Sequence, residues 1–391
     1  MVDMTGLRAK RLDRLRNAMA DNDLEAVVVF EYANGRYAAD LRPLYAPNFL
    51  VRQAVVVTIR SDEVICFVHQ DDTPHRRSTM TWLEPENVRE FPTGVMLEGG
   101  GAQALAPIGS ALRELGWNGG RVGTDIGTPN SLANLSELIG APVVDANAVL
   151  HHVRSVKFSE EIVLLRAASA VVDEAFRVAC EAVRPGIREC EILAEVMRVF
   201  YRHGAEVPQC NLIVCTGQNT APMQRFAGET EVAEGDLVFM DIGACFNGVF
   251  SEATRTVVCG EPNEEQRRIY TAVSGLHEAM IAELAPGRTA AELQRVAGEL
   301  LDAGPYRGYL QKMIVAHGIG VGYAEPPFIA PPGRPTPELA FEPGTVLAVV
   351  PTIIVPGVPG GGGVRLEDVV AVTADGVERL TTYPYAENLL L

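Results

Sequence analysis

The chain has 391 residues, a formal net charge of −17, 47% hydrophobic, 21% charged and 6% aromatic residues. That composition excludes a disordered or fibrous class, and the length exceeds what one core usually fills, so two domains are expected. The acidic balance, without a long Lys/Arg run, counts against nucleic acid and anionic membranes as partners and leaves small solutes as the expected targets.

The first segment reads as a charged amphipathic helix to about Asn22. It lacks the apolar core of a signal peptide, and no stretch reaches membrane-spanning length, so a cytoplasmic protein is expected. Strands follow at LEAVVVF, QAVVVTI and EVICFVH, then a helix near 102–115, the strand RVGTDI and a short helix before PVVDA. Short apolar strands interleaved with helices predict a mixed α/β domain over 1–155. In VKFSEEIVLL a Ser159 N-cap with acids in the first turn predicts a long helix, and with it a second domain over 156–391. Seven cysteines without a C-x-x-C pair read as buried thiols rather than a disulfide framework or zinc knuckle.

The second domain can be laid against itself. VRPGIRECEILAEVMRVFYRHGA at 183–205 resembles LAPGRTAAELQRVAGELLDAG at 284–304, and each is followed by a strand entered through a glycine turn, AEGDLVFMDIG and FEPGTVLAVVP. Aligning Gly235 with Gly344 sets Asp241 opposite Val350. Two related halves leave a cleft between them as a natural place for a site. Asp241, Glu252, His317 and Glu367 stand inside apolar, strand-like runs, where charged groups need partners; a shared site would supply them.

Taken in order, D-I-G, a following acid, T-R-T, H-G-I-G and R-L-E-D resemble the pita-bread enzymes, a family of methionine aminopeptidases, Xaa-Pro peptidases, creatinase and relatives. The resemblance implies an α/β (α+β) protein with a creatinase-like N-terminal domain and an internally duplicated pita-bread domain. Its metallopeptidases hold two divalent ions on two Asp, one His and two Glu. Here Asp241, His317 and Glu367 match; Glu252 stands for the second Asp and Val350 for the first Glu, while Gln224 and Ala324 replace two histidines that contact substrate or the reacting carbonyl. The tail through TTYPYAENLL and the HQDDTPHRRSTMTW segment are similar to creatinase, a metal-free member of the fold.

On that resemblance the expected function is a metal-independent, creatinase-like hydrolase with no cofactor, cleaving a C–N bond of a small carboxylate-bearing amidino, amide or cyclic-amidine substrate. His317 is its expected general base or acid, with Glu252, Glu367 and Asp241 as the other catalytic groups. Gln224, Arg52 and Arg334 are expected to bind substrate, the arginines by forked hydrogen bonds to a carboxylate. A homodimer in which Arg52 reaches the partner subunit's site is implied by the resemblance alone. Two alternatives stand beside this reading. One is a metal-dependent Xaa-Pro dipeptidase with an eroded or mononuclear site, Asp241, Glu252, His317 and Glu367 holding one Mn, Fe or Zn ion; the other is a non-catalytic binding module.

Overall fold

The computed structural model describes residues 2–42, 53–91, 101–209 and 212–391. The chain divides into two compact units, Met1–Arg154 and Ser155–Leu391.

The first unit is built on a mixed six-stranded sheet among the described residues. Its strands are β1 (Ala26–Val29), β2 (Ala54–Thr58), β3 (Val64–His69), β4 (Val88–Phe91), β5 (Val122–Thr124) and β6 (Val143–Asp145), in the order β4-β3-β2-β1-β5-β6. β1 to β3 form an antiparallel meander, and β4, β5 and β6 add in parallel. Every side chain of AVVV in β1 is buried, as a strand covered on both faces requires. The helices are α1 (Met4–Asp21), α2 (Tyr32–Ala39), α3 (Thr73–Thr79), α4 (Gly101–Glu114), α5 (Pro129–Ile139) and α6 (Asn147–Ser155). The expected strands and the helices near 4–22 and 102–115 are present; α2 and β4 went unforeseen, being short and without a clear period.

The second unit repeats one device twice. A long helix, α7 (Ser159–Ala182), leads through a Pro-Gly turn to α8 (Glu189–Arg202), and α9 (Glu264–Glu283) leads likewise to α10 (Ala290–Asp302). The two turn glycines take nearly the same left-handed φ, +82° at Gly186 and +83° at Gly287, where a Cβ would be strained. Their N–H groups donate to Val232 and Phe341, and isolated bridges Arg188–Glu231 and Thr289–Ala340 follow in corresponding places. The duplication seen in sequence is therefore a duplication in backbone hydrogen bonding. One detail differs: the N-cap of α7 is Phe158, not Ser159, because Glu161 reaches back to the Phe158 N–H at 2.9 Å.

The strands of this unit are β7 (Val207–Pro208), β8 (Ile213–Thr216), β9 (Leu237–Phe246), β10 (Val249–Val258), β11 (Ala316–Gly318), β12 (Glu325–Ile329), β13 (Val346–Val349), β14 (Thr352–Ile354), β15 (Gly363–Arg365), β16 (Asp368–Thr373) and β17 (Gly376–Arg379). β9 pairs with β10, β7 and β8; a second sheet runs β12-β11-β13-β16-β17. The hairpin β9–β10 turns on Asn247 and Gly248, both at positive φ (49° and 81°), the chemistry of a two-residue type I′ turn. That turn sets the register on which the site depends. α10 buries Leu293, Ala297 and Leu301, one face at helical spacing, against the core of β13 and β16. Each fully buried aliphatic side chain there contributes about 1.5–3 kcal/mol.

Candidate metal centre

In the β9–β10 register Asp241 lies opposite Thr254 and Gly243 opposite Glu252. Because side chains alternate across a strand, all four positions face the same side of the sheet. Glu367 joins them from the strand junction before β16, exchanging backbone hydrogen bonds with Thr254 at 3.3 and 3.1 Å. His317 enters from β11, held between β12 and β13. Two sheets thus deliver four buried ionisable groups: Asp241, Glu252, His317 and Glu367 are 2 to 7% exposed.

Three of them converge. Donor atoms of Glu252, His317 and Glu367 lie within 4.8 Å of one another, with His317 Nε2 at 3.2 Å from Glu252 Oε1 and 3.7 Å from Glu367 Oε1. His317 Nδ1 lies 3.0 Å from the Gly318 carbonyl oxygen, which can only accept. Nδ1 therefore carries the proton, and Nε2 is the nitrogen turned to the carboxylates. Thr254 Oγ1 donates to Glu367 Oε2 at 2.7 Å and fixes that carboxylate.

Asp241 is engaged differently. Gln209 Nε2 donates to its Oδ1 at 3.1 Å, and the Arg365 guanidinium pairs with its Oδ2. Arg365 is itself anchored, Nε on Thr352 Oγ1 at 2.7 Å and Nη2 on Gln311 Oε1 at 2.6 Å. Both Asp241 oxygens already accept from N–H donors, so Asp241 stands beside the three-donor cluster rather than within it.

Burial pushes the Asp241 carboxyl up to about 6 against the pull of Arg365. Burial, reinforced by the charges of Glu367 and Asp241, pushes Glu252 well above the usual carboxylate range. Glu367 goes the other way: burial raises it, but the neighbouring His317 ring, the Arg365 charge and the Thr254 hydroxyl together hold it below its ordinary value. With protein groups alone, burial therefore favours the protonated form of Glu252, and its Oε1 receives no hydrogen bond, the nearby His317 Nε2 having no proton to donate. A cation among these groups reverses that logic, since it favours the ionised carboxylate and gives the orphaned oxygen a partner. Two carboxylates and one imidazole nitrogen form an O/N donor set suited to a Mn, Fe or Zn ion, so the residues present fit one ion.

A model of metallopeptidase family M24 matches residues 163–374, more than half of the chain. The chain belongs to the M24 metallopeptidase family. The creatinase/prolidase N-terminal domain matches residues 11–156. Among the M24 relatives, the Xaa-Pro dipeptidase of Pyrococcus furiosus is 35% identical over 233 residues, 60% of this chain and 65% of that protein, so the chain spans less than two thirds of that relative's length. Prolidase from the same organism superposes with a TM-score of 0.75 at 27% identity, covering 94% of this chain and 99% of that one. Dipeptidase PepE from Mycobacterium ulcerans superposes at 0.79 with 25% identity, covering 99% and 98%. The mixed α/β N-terminal domain followed by a pita-bread domain, expected from the motifs, is the fold of this M24 chain.

These relatives overturn two expectations. The metal-independent, creatinase-like hydrolase is corrected because the similar M24 proteins carry the name Xaa-Pro dipeptidase, within a family of metallopeptidases. The absence of a cofactor is corrected with it, because a donor cluster with an orphaned carboxylate oxygen stands in the site. Departures from the two-ion set at Val350, Gln224 and Ala324 point in the sequence to a metal-free site, yet three of the four residues named for a single ion, Glu252, His317 and Glu367, converge in space.

The other expected site residues fall outside this cluster or outside the described residues. Arg52 lies outside the described residues. Gln224 is exposed beside buried Met223. Arg334 is exposed on the loop after β12, its carbonyl accepting from Gln294 Nε2 at 2.8 Å. Arg365, Thr254 and Gln209 were missed. Thr254 had a signal, lying two residues from Glu252 and hence on the same face of β10; Arg365 had a weaker one, two residues before Glu367, and Gln209 had none, because its approach to Asp241 is a tertiary contact.

Proposed function

We propose that this chain is a metal-dependent dipeptidase of the Xaa-Pro type that holds one divalent ion on Glu252, His317 and Glu367. The observation that carries the reading is the convergence of three buried O/N donors within 4.8 Å, one of them a carboxylate oxygen without a protein partner. The Xaa-Pro dipeptidase name of the 35% identical relative supports the substrate class. When bound, such an ion supplies Lewis acidity at a peptide carbonyl and activates water near neutral pH.

The chain's own residues do the rest. Thr254 orients Glu367 and the Gly318 carbonyl sets the His317 tautomer, leaving Nε2 free toward the ion, while Glu252 supplies the second carboxylate. Arg365 balances Asp241 and keeps a fourth negative charge from the cluster. One ion rather than two is favoured by Val350. It is buried, carries no donor, and stands where the internal repeat sets a counterpart to Asp241. Retention of the three-donor cluster favours an enzyme over a binding module. A homodimer remains an expectation from the resemblance, checked by sedimentation at twice the chain mass.

The test is elemental analysis of purified protein, chelation, and assay on a panel of Xaa-Pro and Xaa-Ala dipeptides with Mn or Zn added back. One ion per chain, loss of Xaa-Pro cleavage on chelation and recovery on re-addition are expected. A protein that takes up no ion and cleaves none of the panel would refute the reading.

A further inference from the structure

Gly243, the register partner of Glu252, has a crowded side: a Cβ there would stand 1.8 Å from Gln209 Oε1 and 2.6 Å from the Glu252 Cβ. Gln209 therefore occupies the space that a side chain at Gly243 would need, in the layer that holds Asp241 and Glu252. Its backbone N–H donates to the Gly243 carbonyl at 3.0 Å, which pins it there. Its amide can be oriented without ambiguity. A carboxylate only accepts, so the group 3.1 Å from Asp241 Oδ1 is the NH₂. The amide oxygen is the other end, turned away from Asp241 toward the Gly243 notch. Gln209 is 3% exposed and its Oε1 has no hydrogen-bond partner.

Two buried oxygens, Gln209 Oε1 just beyond β7 and Glu252 Oε1 on β10, thus stand on either side of β9 without donors. A buried acceptor that nothing satisfies is destabilising, so each calls for a partner. A divalent cation is the partner that accepts several oxygens at once, and amide carbonyls serve such ions as neutral donors.

We propose that Gln209 turns its amide oxygen onto the ion held by Glu252, His317 and Glu367, supplying an uncharged donor to a set that Val350 leaves one carboxylate short. The proposal rests on the metal-dependent reading. It makes Gln209 bifunctional: one end orients Asp241 and the other binds the ion.

Two variants separate those ends. Gln209→Met removes both the oxygen and the N–H; Gln209→Glu keeps an oxygen toward the ion and loses the N–H toward Asp241. Mn(II) binding to chelator-stripped full-length protein is measured by calorimetry, with the thermal midpoint of the stripped protein as a folding control. Gln209→Met is expected to bind Mn(II) about ten- to a hundredfold more weakly at one ion per chain, and Gln209→Glu at least as tightly as the unmodified protein. Equal weakening in both variants would show that Gln209 acts only through Asp241, and unchanged affinity in Gln209→Met would show that its oxygen serves a water; either result overturns the proposal. If Gln209→Met does not fold, retained or tighter binding in Gln209→Glu supports the proposal, and weaker binding overturns it. Failure of the unmodified protein to bind Mn(II) would instead refute the metal-dependent reading itself.

Discussion

Replacing Arg365 by Met tests the electrostatics of the site most directly. The side chain is 7% exposed, its guanidinium lies 5.6 Å over the Phe239 ring, and its nitrogens serve Asp241, Thr352 and Gln311. Met keeps much of the packing and removes the charge and every donor, leaving Asp241 buried with only Gln209 as partner. Breaking a buried ion pair from one side costs about 3–5 kcal/mol, whereas replacing both partners by apolar groups is close to neutral. Arg365→Met is thus expected to lose that amount, and Arg365→Met with Asp241→Leu to regain most of it, a coupling of about 2 kcal/mol or more. The assay is urea unfolding at pH 7.5 with EDTA, followed by far-ultraviolet circular dichroism. Both tryptophans, Trp82 and Trp117, lie in the first unit, so fluorescence reports that unit and serves as an internal control. A single-variant cost under about 1 kcal/mol, or strictly additive effects, would show that Asp241 does not depend on Arg365.

Thr254→Val, nearly isosteric, removes the hydroxyl that holds Glu367 and is expected to weaken Mn(II) binding about tenfold; calorimetry with unchanged affinity would show that Glu367 is oriented by other groups. In the first unit, Asp125 accepts from the Phe30 and Glu31 N–H groups and from Asn34 Nδ2, each at 2.9 Å. Asp125→Ala is expected to cost about 2–4 kcal/mol by leaving those donors unpaired, read as the urea midpoint of tryptophan fluorescence. Burial raises the Asp125 pKa over its hydrogen bonds. The folded state therefore holds the proton longer than the unfolded one, and the advantage over Asp125→Ala should be greatest near pH 4 and narrow as pH rises through the folded-state value; a widening gap would contradict this. Burial pushes the Cys66 and Cys215 thiols up to about 12, so at pH 8 a disulfide reagent should modify them only after denaturation, and rapid native labelling would refute their inertness.

Much of the fold was legible because it is written in local patterns. The paired Pro-Gly turns at 185–186 and 286–287 carry the duplication, and their glycines adopt the same left-handed backbone in the structure. Asp241, Glu252, His317 and Glu367 announced themselves as charges inside apolar strands, where only a shared site makes their burial affordable. Less legible was which of these four form the cluster. Asp241 matches a metal-ligand motif, yet both its oxygens accept from Arg365 and Gln209, a competition between partners that no spacing displays.

The sequence by itself determined the family, the two-unit layout and the acids of the site, because strand alternation and glycine turns act over a few residues and recur in recognisable motifs. Only the tertiary structure decided how those acids are used. It brought Glu252 of β10, His317 of β11 and Glu367 before β16 within reach of one another, set Gln209 into the notch of Gly243, and left two buried oxygens without protein donors. Hydrogen-bond satisfaction is a sum over every neighbour in space, and those neighbours come from segments well separated in the chain, 32 residues for Gln209 and Asp241 and 124 for Asp241 and Arg365.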